Sequence, residues 1–127
     1  IEHGQGGLIV NIGSVAGSQT YADGAVYCAS KHAVHALSEG MRIDLLKHGI
    51  KVSEVRPGMV ETEFSVVRFH GDRQRADKVY EGVKPLSAED IADVIGWIVS
   101  LPPHVNVNDI LVMPTQQADA HYTDRKP

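Results

Sequence analysis

The sequence predicts an α/β fold in which about three parallel strands are flanked by helices. The segment from Gly7 to Ser14 is typical of a buried strand, because its residues are mostly aliphatic and glycine brackets it. A long helical pattern from about Val26 to His48 follows, and a second apolar segment, Ile50 to Val55, comes directly after it. Strands that alternate with helices indicate a parallel sheet.

The first strand and helix each carry their own signals. The strand over 7–13 is apolar on both faces, as expected of a parallel strand covered by helices. The helix ends with Lys47 and His48 before Gly49, a typical C-terminal signal. Its apolar positions are Val26, Val34, Leu37, Met41 and Leu45. Small residues in its first half fit either a close contact with another subunit or packing on its own sheet.

A long charged segment follows the second strand, which we expect to end at Arg56-Pro57-Gly58. Residues 61–86 are too many for an ordinary connection, so we predict a lid over a ligand site. Within the lid, Phe64, Val67 and Phe69 are expected to close over the substrate.

The remainder of the chain predicts one more helix and strand. Ser87 with Asp90 three residues later is typical of a capped helix start, and Pro102-Pro103 ends that helix. Val105 to Met113 predicts the last strand. The polar tail from Gln116 to Pro127 is interpreted as a surface arm, lying against a neighbouring subunit.

Three side chains near the first strand can support general acid–base chemistry. Ser14 follows the strand, and Tyr27 and Lys31 lie four residues apart on the helix, which places them roughly 6 Å apart along its axis. A nearby cation favours the phenolate form of a tyrosine. Ser14 could hold a substrate oxygen while Tyr27 gives or takes its proton, a reaction that needs a hydride carrier as partner. Taken singly, Ser14 is more typical of a turn or helix cap, and the Tyr27–Lys31 pair is more typical of a solvated helix face.

Composition excludes several other classes. The 127 residues are 43% hydrophobic and carry a net charge of -4, which suits one small domain and argues against nucleic acid as a partner. A single cysteine excludes an internal disulfide and suits a reducing, cytoplasmic compartment. No apolar run approaches the ~20 residues of a membrane span. The seven histidines are scattered, and no carboxylate or thiol stands at ligand spacing beside His32 and His35, so no metal site is predicted.

Three motifs together resemble the short-chain dehydrogenase/reductase family. They are Asn11-Ile-Gly-Ser14, Tyr27-Cys-Ala-Ser-Lys31 and Pro57-Gly-Met-Val-Glu-Thr62. The segment from Thr62 to Asp72 and the ending Met113 to Ala118 resemble the branch that acts on serine-like 3-hydroxy acids and malonic semialdehyde. The resemblance implies that residues 1–127 form one partial domain, the C-terminal half of a Rossmann-like doubly wound sheet, with the phosphate-binding half upstream. The absence of an initiating Met fits that expectation.

The resemblance also implies residue roles. Ser14, Tyr27 and Lys31 would be catalytic, with Tyr27 and Lys31 also touching the cofactor, and Ser14 and Tyr27 the substrate. Pro57, Gly58, Val60 and Thr62 would hold the nicotinamide of NADP or NAD, with NADP favoured by the branch. We further expect Arg68 to pair with a substrate carboxylate, because a guanidinium fork fits a carboxylate.

Two functions remain open from the sequence. One is an NAD(P)-dependent oxidoreductase that interconverts a secondary alcohol and a carbonyl, acting on a small 3-hydroxy acid or serine-like molecule as a homo-oligomer, a dimer or tetramer. The other is a catalytically silent fragment or subunit-association module that lacks the cofactor-binding half. The intact trio favours the enzyme, and the missing phosphate-binding turn favours silence.

Overall fold

The computed structural model describes all 127 residues as a three-stranded parallel sheet with flanking helices. The elements follow the order β1 (Gly7–Ile12), α1 (Ala25–Leu45), β2 (Ile50–Pro57), α2 (Phe64–Arg68), α3 (Arg73–Asp77), α4 (Ala88–Ser100) and β3 (Asp109–Val112). A 3-10 turn, Val15–Gly17, links β1 to the loop before α1, and a second one, Leu46–His48, ends that helix. The predicted fold class is confirmed.

The sheet order is β1-β2-β3, so β2 is the central strand. Gly7 pairs with Ile50 and Ile12 with Val55, while Val55 also pairs with Ile110 of β3. Glu54 of β2 faces α1, where it contacts His35. Its neighbours Ser53 and Val55 point to the opposite face, and both are fully buried. The central strand is therefore covered on both faces, as in a doubly wound sheet.

Helix α1 packs on one face of the sheet through Cys28 and Ser38, which are both fully buried. The Ser38 hydroxyl donates to the Val34 carbonyl and accepts from the amide of Asn11 on β1 at 2.9 Å. Gly49 follows the helix with φ 65°, a left-handed conformation that glycine adopts without strain. The predicted helix and its end are confirmed. Its predicted apolar face is partly wrong, because Val26 and Leu37 are exposed.

The two later strands differ from the prediction in length. β2 continues through Arg56 and Pro57, since Pro57 needs no N–H for its place in the ladder. β3 begins only at Asp109, although the Asn108 carbonyl already accepts from the Glu54 N–H at 3.1 Å. Side-chain bonds hold the residues before β3 against β2. Asn106 donates its amide to the Val52 carbonyl, and Arg42 donates to the Asn108 carbonyl at 2.8 Å.

The connection over 61–86 contains the two short helices α2 and α3. Its ends are close together, since Val60 forms a bridge with Leu86. Helix α4 follows with the predicted capping box, in which the Ser87 hydroxyl accepts from the Asp90 N–H and the Asp90 carboxylate accepts from the Ser87 N–H.

The tail that begins at Gln116 is bonded to its own chain. Gln116 bridges two carbonyls, those of Gly82 and Asp124, and the Arg125 guanidinium donates to the carbonyls of Glu81 and Val79. The tail folds back onto the base of the connection because its polar side chains satisfy backbone groups there.

Candidate active site

Ser14 lies beyond the carboxyl end of β1, beside the carboxyl end of β2 at Pro57. Its backbone is extended, and its Oγ accepts from the Ala16 N–H at 3.1 Å, which caps the 3-10 turn. Ser14 therefore has the capping role that the sequence left open. Because its Oγ acts only as an acceptor in the cap, the hydroxyl proton is free and Ser14 can still donate to another oxygen. The side chain is mostly buried and lines a cleft of about 430 Å³.

Tyr27 and Lys31 project from the first turns of α1 into the same cleft. The Lys31 Nζ lies 5.8 Å from the centre of the Tyr27 ring and donates to the Ile12 carbonyl at 2.9 Å. Burial lowers the pKa of Lys31, and the nearby Glu54 carboxylate raises it again in part. The Tyr27 ring packs on Phe64 of α2 with centroids 5.3 Å apart. A hydroxyl, a phenol and an ammonium thus line the same cleft.

The loop after β2 forms the neighbouring wall. Pro57, Gly58, Val60 and Thr62, the residues predicted to hold a nicotinamide, all line the cleft. The Thr62 Oγ accepts from the Phe64 N–H at 3.2 Å and keeps its own proton available. The Val60 N–H makes no hydrogen bond within the chain, unlike the neighbouring Met59 N–H, which donates to the Gln117 side chain at 2.8 Å. A free amide donor and a hydroxyl are the groups that a carboxamide requires.

The segment over 61–86 contributes a third wall. Of the three predicted apolar side chains, Phe64 lines the cleft, while Val67 and Phe69 are not part of its wall. Val67 is exposed, and the guanidinium groups of Arg68 and Arg75 lie 5.5 Å and 4.5 Å from the centre of the Phe69 ring. The five-residue helix α2 turns only one face inward, so Phe64 and Arg68 share that face.

Arg68 lines the cleft, and its guanidinium makes no ion pair within the chain. Its Cζ lies 5.6 Å from the centre of the Tyr21 ring, a cation–π contact. Burial raises the pKa of Tyr21, and the charge of Arg68 lowers it in part. Tyr21 packs against Gly24, where any Cβ would lie 2.2 Å from the ring. Gly24 therefore leaves room for the Tyr21 ring at the position where it contacts the Arg68 guanidinium.

Sequence reasoning missed four polar side chains of the cleft. Tyr80 donates to the Val60 carbonyl at 2.9 Å and shares a 2.7 Å hydrogen bond with Ser65, so it joins the connection to the loop after β2. Gln117 is buried and holds the Met59 N–H. Only Tyr21 carried a sequence signal, an aromatic residue within a run of turn-forming residues. Ser65 and Tyr80 lie within the predicted lid, and Gln117 comes from the distant C-terminal tail.

The structure also brings His35 near two carboxylates, which the sequence did not suggest. Ligand atoms of His35, Glu54 and Asp109 lie within 4.8 Å of one another. Both Asp109 oxygens already accept from the Arg56 guanidinium at 2.6 Å, and Glu54 accepts from or donates to His35. The guanidinium takes the place next to Asp109 that a cation would need.

The fold and the cleft define a class: an α/β protein with a ligand cleft at the carboxyl ends of a parallel sheet. The family model described as short chain dehydrogenase matches residues 1–72. The chain belongs to the short chain dehydrogenase family, which confirms the resemblance of its motifs.

Related proteins agree with the branch. The chain is 46% identical over 120 residues to the NADP-dependent 3-hydroxy acid dehydrogenase of Schizosaccharomyces pombe, covering 94% of this chain and 46% of that protein. It is 48% identical over 118 residues to the sulfoacetaldehyde reductase of Chromohalobacter salexigens, with 93% and 47% covered. A solved structure, the closed form of serine dehydrogenase complexed with NADP+, superposes with a TM-score of 0.90 at 41% identity, covering all of this chain and 51% of the other.

The chain thus spans about half the length of the curated relatives it matches. No helix, including the 21-residue α1, combines the length and the apolar character that crossing a bilayer requires.

Proposed function

We propose that this chain carries the catalytic cleft of an NADP-dependent dehydrogenase that interconverts an alcohol and a carbonyl on a small anionic 3-hydroxy acid. The observation that carries the proposal is the convergence of Ser14, Tyr27 and Lys31 in one cleft with the loop over Pro57–Thr62. The NADP-linked names of the relatives support the cofactor, with NAD as the other candidate.

The residues present fit the nicotinamide end of such a cofactor. The Val60 N–H and the Thr62 hydroxyl are available to a carboxamide, Pro57 and Gly58 shape the same wall, and Lys31 and Tyr27 are available to a ribose. When bound, the cofactor accepts or supplies the hydride. The Gly-rich turn that holds a pyrophosphate in doubly wound folds follows a first strand and has no counterpart in residues 1–127.

The chain's own residues would move the proton. In the oxidation direction, the Ser14 hydroxyl donates to the substrate oxygen and fixes it beside Tyr27. The Tyr27 oxygen takes the hydroxyl proton as general base, and in the reduction direction it returns that proton to the carbonyl oxygen. Lys31 holds positive charge near the phenol throughout, anchored at the end of β1 by the Ile12 carbonyl.

Arg68 supports the choice of an anionic substrate. Its guanidinium faces the cleft, has no carboxylate partner of its own and is held by Tyr21. The two curated relatives are named for substrates that carry a carboxylate or a sulfonate. A fork of N–H donors fits either group.

The first test is Tyr27→Phe, which keeps the ring contact with Phe64 and removes the exchangeable proton. We expect turnover with NADP+ and 3-hydroxybutyrate to fall by about 10²–10⁴-fold. NADP binding measured by fluorescence should change far less, because Lys31 and the loop over Pro57–Thr62 remain to hold the cofactor. Tyr122→Phe, at an exposed tyrosine, is the matched control. Substantial turnover in Tyr27→Phe would reject the assigned role.

The second test separates the anionic group from the rest of the substrate. Arg68→Ala should raise the KM for 3-hydroxybutyrate about tenfold or more, because a charge-assisted hydrogen bond is lost. The KM for 2-butanol, in which a methyl replaces the carboxylate, should change little. Arg75→Ala removes a cation that stacks on Phe69 outside the cleft and is the control. Equal effects of Arg68→Ala on both substrates would contradict the role of Arg68.

A second candidate is a subunit-association module without turnover. It is favoured by the exposed apolar side chains of α1 and the residue after it, Val26, Leu37, Ile43 and Leu46. The same exposed side chains support a homo-oligomer, a dimer or tetramer, for the enzyme. The intact mass of the purified protein and its NADP-linked turnover distinguish the two candidates. The module would have the 13.8 kDa mass of this chain and show no turnover, whereas the enzyme would turn over substrate.

We also propose a cytoplasmic location. The single cysteine, Cys28, is buried and unpaired, which is consistent with a reducing compartment.

A further inference from the structure

Glu54 is a carboxylate in the middle of the sheet with too few partners. Its side chain is fully buried on the central strand. One oxygen contacts His35 Nδ1 at 2.6 Å, and the other, Oε1, has no hydrogen-bond donor. Burying a carboxylate costs free energy unless its lone pairs are satisfied, so a neutral residue of this size would stabilise the sheet better. The unfavourable free energy of burying this carboxylate indicates that its negative charge has a function.

The unpartnered oxygen, Glu54 Oε1, lies next to the residue that follows the Lys31 hydrogen-bond acceptor, Ile12. A Cβ on Gly13 would lie 2.1 Å from Glu54 Oε1, so only glycine fits between that oxygen and the end of β1. Lys31 donates to the carbonyl of Ile12, the residue just before Gly13. His35, which holds the other Glu54 oxygen, follows Lys31 by one helical turn on α1. Glu54 Oε1 and the Lys31 ammonium thus lie next to adjacent residues at the end of β1, Gly13 and Ile12.

The other charged groups around Glu54 leave its charge to act on Lys31. On its own strand, Arg56 is engaged by both oxygens of Asp109 from β3. On α1, the exposed Glu39 approaches the far nitrogen of His35 at 3.9 Å. Arg42 of α1 has no carboxylate contact either, and it donates to the carbonyls of Val52 and Asn108. Lys31 is the cation bonded at the end of β1, next to Gly13 and the unpartnered oxygen.

We propose that Glu54, oriented by His35, is a positioning residue that keeps the Lys31 ammonium charged and fixed at the end of β1. The physical reason is a balance of two effects. Partial burial lowers the pKa of Lys31, and the Glu54 charge raises it. Without Glu54, Lys31 would lose its proton at lower pH and would then hold neither a ribose nor a phenolate. Only this catalytic consequence rests on the proposed function.

The decisive experiment measures the titration of the Lys31 amine directly. Full-length protein is labelled with trace acetic anhydride across a pH series, and mass spectrometry quantifies the modified peptide that contains Lys31. In Glu54→Gln, which preserves shape and removes charge, we expect the labelling midpoint of Lys31 to move to lower pH, with several-fold more labelling at a fixed pH below it. Glu54→Met, a second charge-removing variant of similar volume, should shift the midpoint in the same direction, and Glu54→Asp should largely restore it.

Glu39→Gln is the matched control, because it removes a carboxylate on the exposed side of the same histidine. It should leave the Lys31 titration in place. An unchanged Lys31 midpoint in folded Glu54→Gln and Glu54→Met, or an equal shift in Glu39→Gln, would overturn the proposal. The labelling needs no turnover, so a failed dehydrogenase assay would not affect this result. If turnover is observed, the pH at which NADP binding weakens should move with the Lys31 midpoint.

Discussion

Gly17 tests whether the position of Ser14 relative to α1 matters for activity. Gly17 ends the 3-10 turn that Ser14 caps, and it lies against the backbone of α1. A Cβ at this position would be 2.9 Å from the Lys31 carbonyl oxygen, which is 0.5 Å closer than the 3.4 Å at which ordinary contacts begin. The obstructing atom belongs to a helical backbone and has no rotamer to move into, so the turn itself must shift.

Gly17→Ala should therefore move Ser14 away from Tyr27 and Lys31 by a few tenths of an ångström. We expect an overpacking cost of about 1–3 kcal/mol in urea unfolding. We also expect a loss of about tenfold in kcat/KM, since a misplacement of about 1 Å can cost roughly 10²-fold. The two effects are separable, because activity is measured far below the unfolding midpoint.

Gly40→Ala is the matched control, since it lies within α1 and a Cβ there meets nothing within 4 Å. It should stabilise the protein by about 0.5–1 kcal/mol and leave kcat/KM unchanged. Gly17→Ala with wild-type stability and wild-type kcat/KM would refute the reasoning, because it would mean that the turn can shift freely without consequence for the site.

Two further predictions concern the cap of α4 and the support of Arg68. Ser87→Ala should lower the free energy of unfolding by about 1 kcal/mol through loss of the capping box, whereas Ser100→Ala, at the other end of α4, should cost much less. Urea denaturation distinguishes them, and equal costs would show that the box adds nothing. Arg68→Ala should move ionisation of Tyr21 to still higher pH, because burial already raises the pKa of Tyr21 and the lowering charge of Arg68 is gone. The stability tied to neutral Tyr21 is present below pH about 10 and is lost as pH rises through its folded pKa. Ultraviolet titration of the tyrosines, with Tyr21→Phe to assign the signal, checks the direction, and an unchanged or lower midpoint would contradict the Tyr21–Arg68 contact.

Short-range patterns determined much of this protein. The strand at 7–12, the helix that carries Tyr27 and Lys31, its end at Gly49 and the Ser87 cap follow from apolar periodicity and from capping chemistry, which act over a few residues. The location of Ser14 and Pro57 at one edge also followed from the sequence, because adjacent parallel strands end on the same side. The ends of β2 and β3 did not follow, since they depend on which partner satisfies each backbone group.

The tertiary structure alone decided what surrounds Ser14, Tyr27 and Lys31. Gln117 reaches Met59 across 58 positions, and Glu54 reaches His35 across 19, distances over which no sequence pattern acts. In the five-residue α2, Arg68 lines the cleft and Val67 is exposed. This orientation follows from the contacts of one helix face, in which Arg68 packs on Tyr21 and Phe64 packs on Tyr27. The sequence determined which chemistry is available, because residue type and local spacing are encoded along the chain. The balance of charge behind Lys31 depends on packing in three dimensions, which only the fold decides.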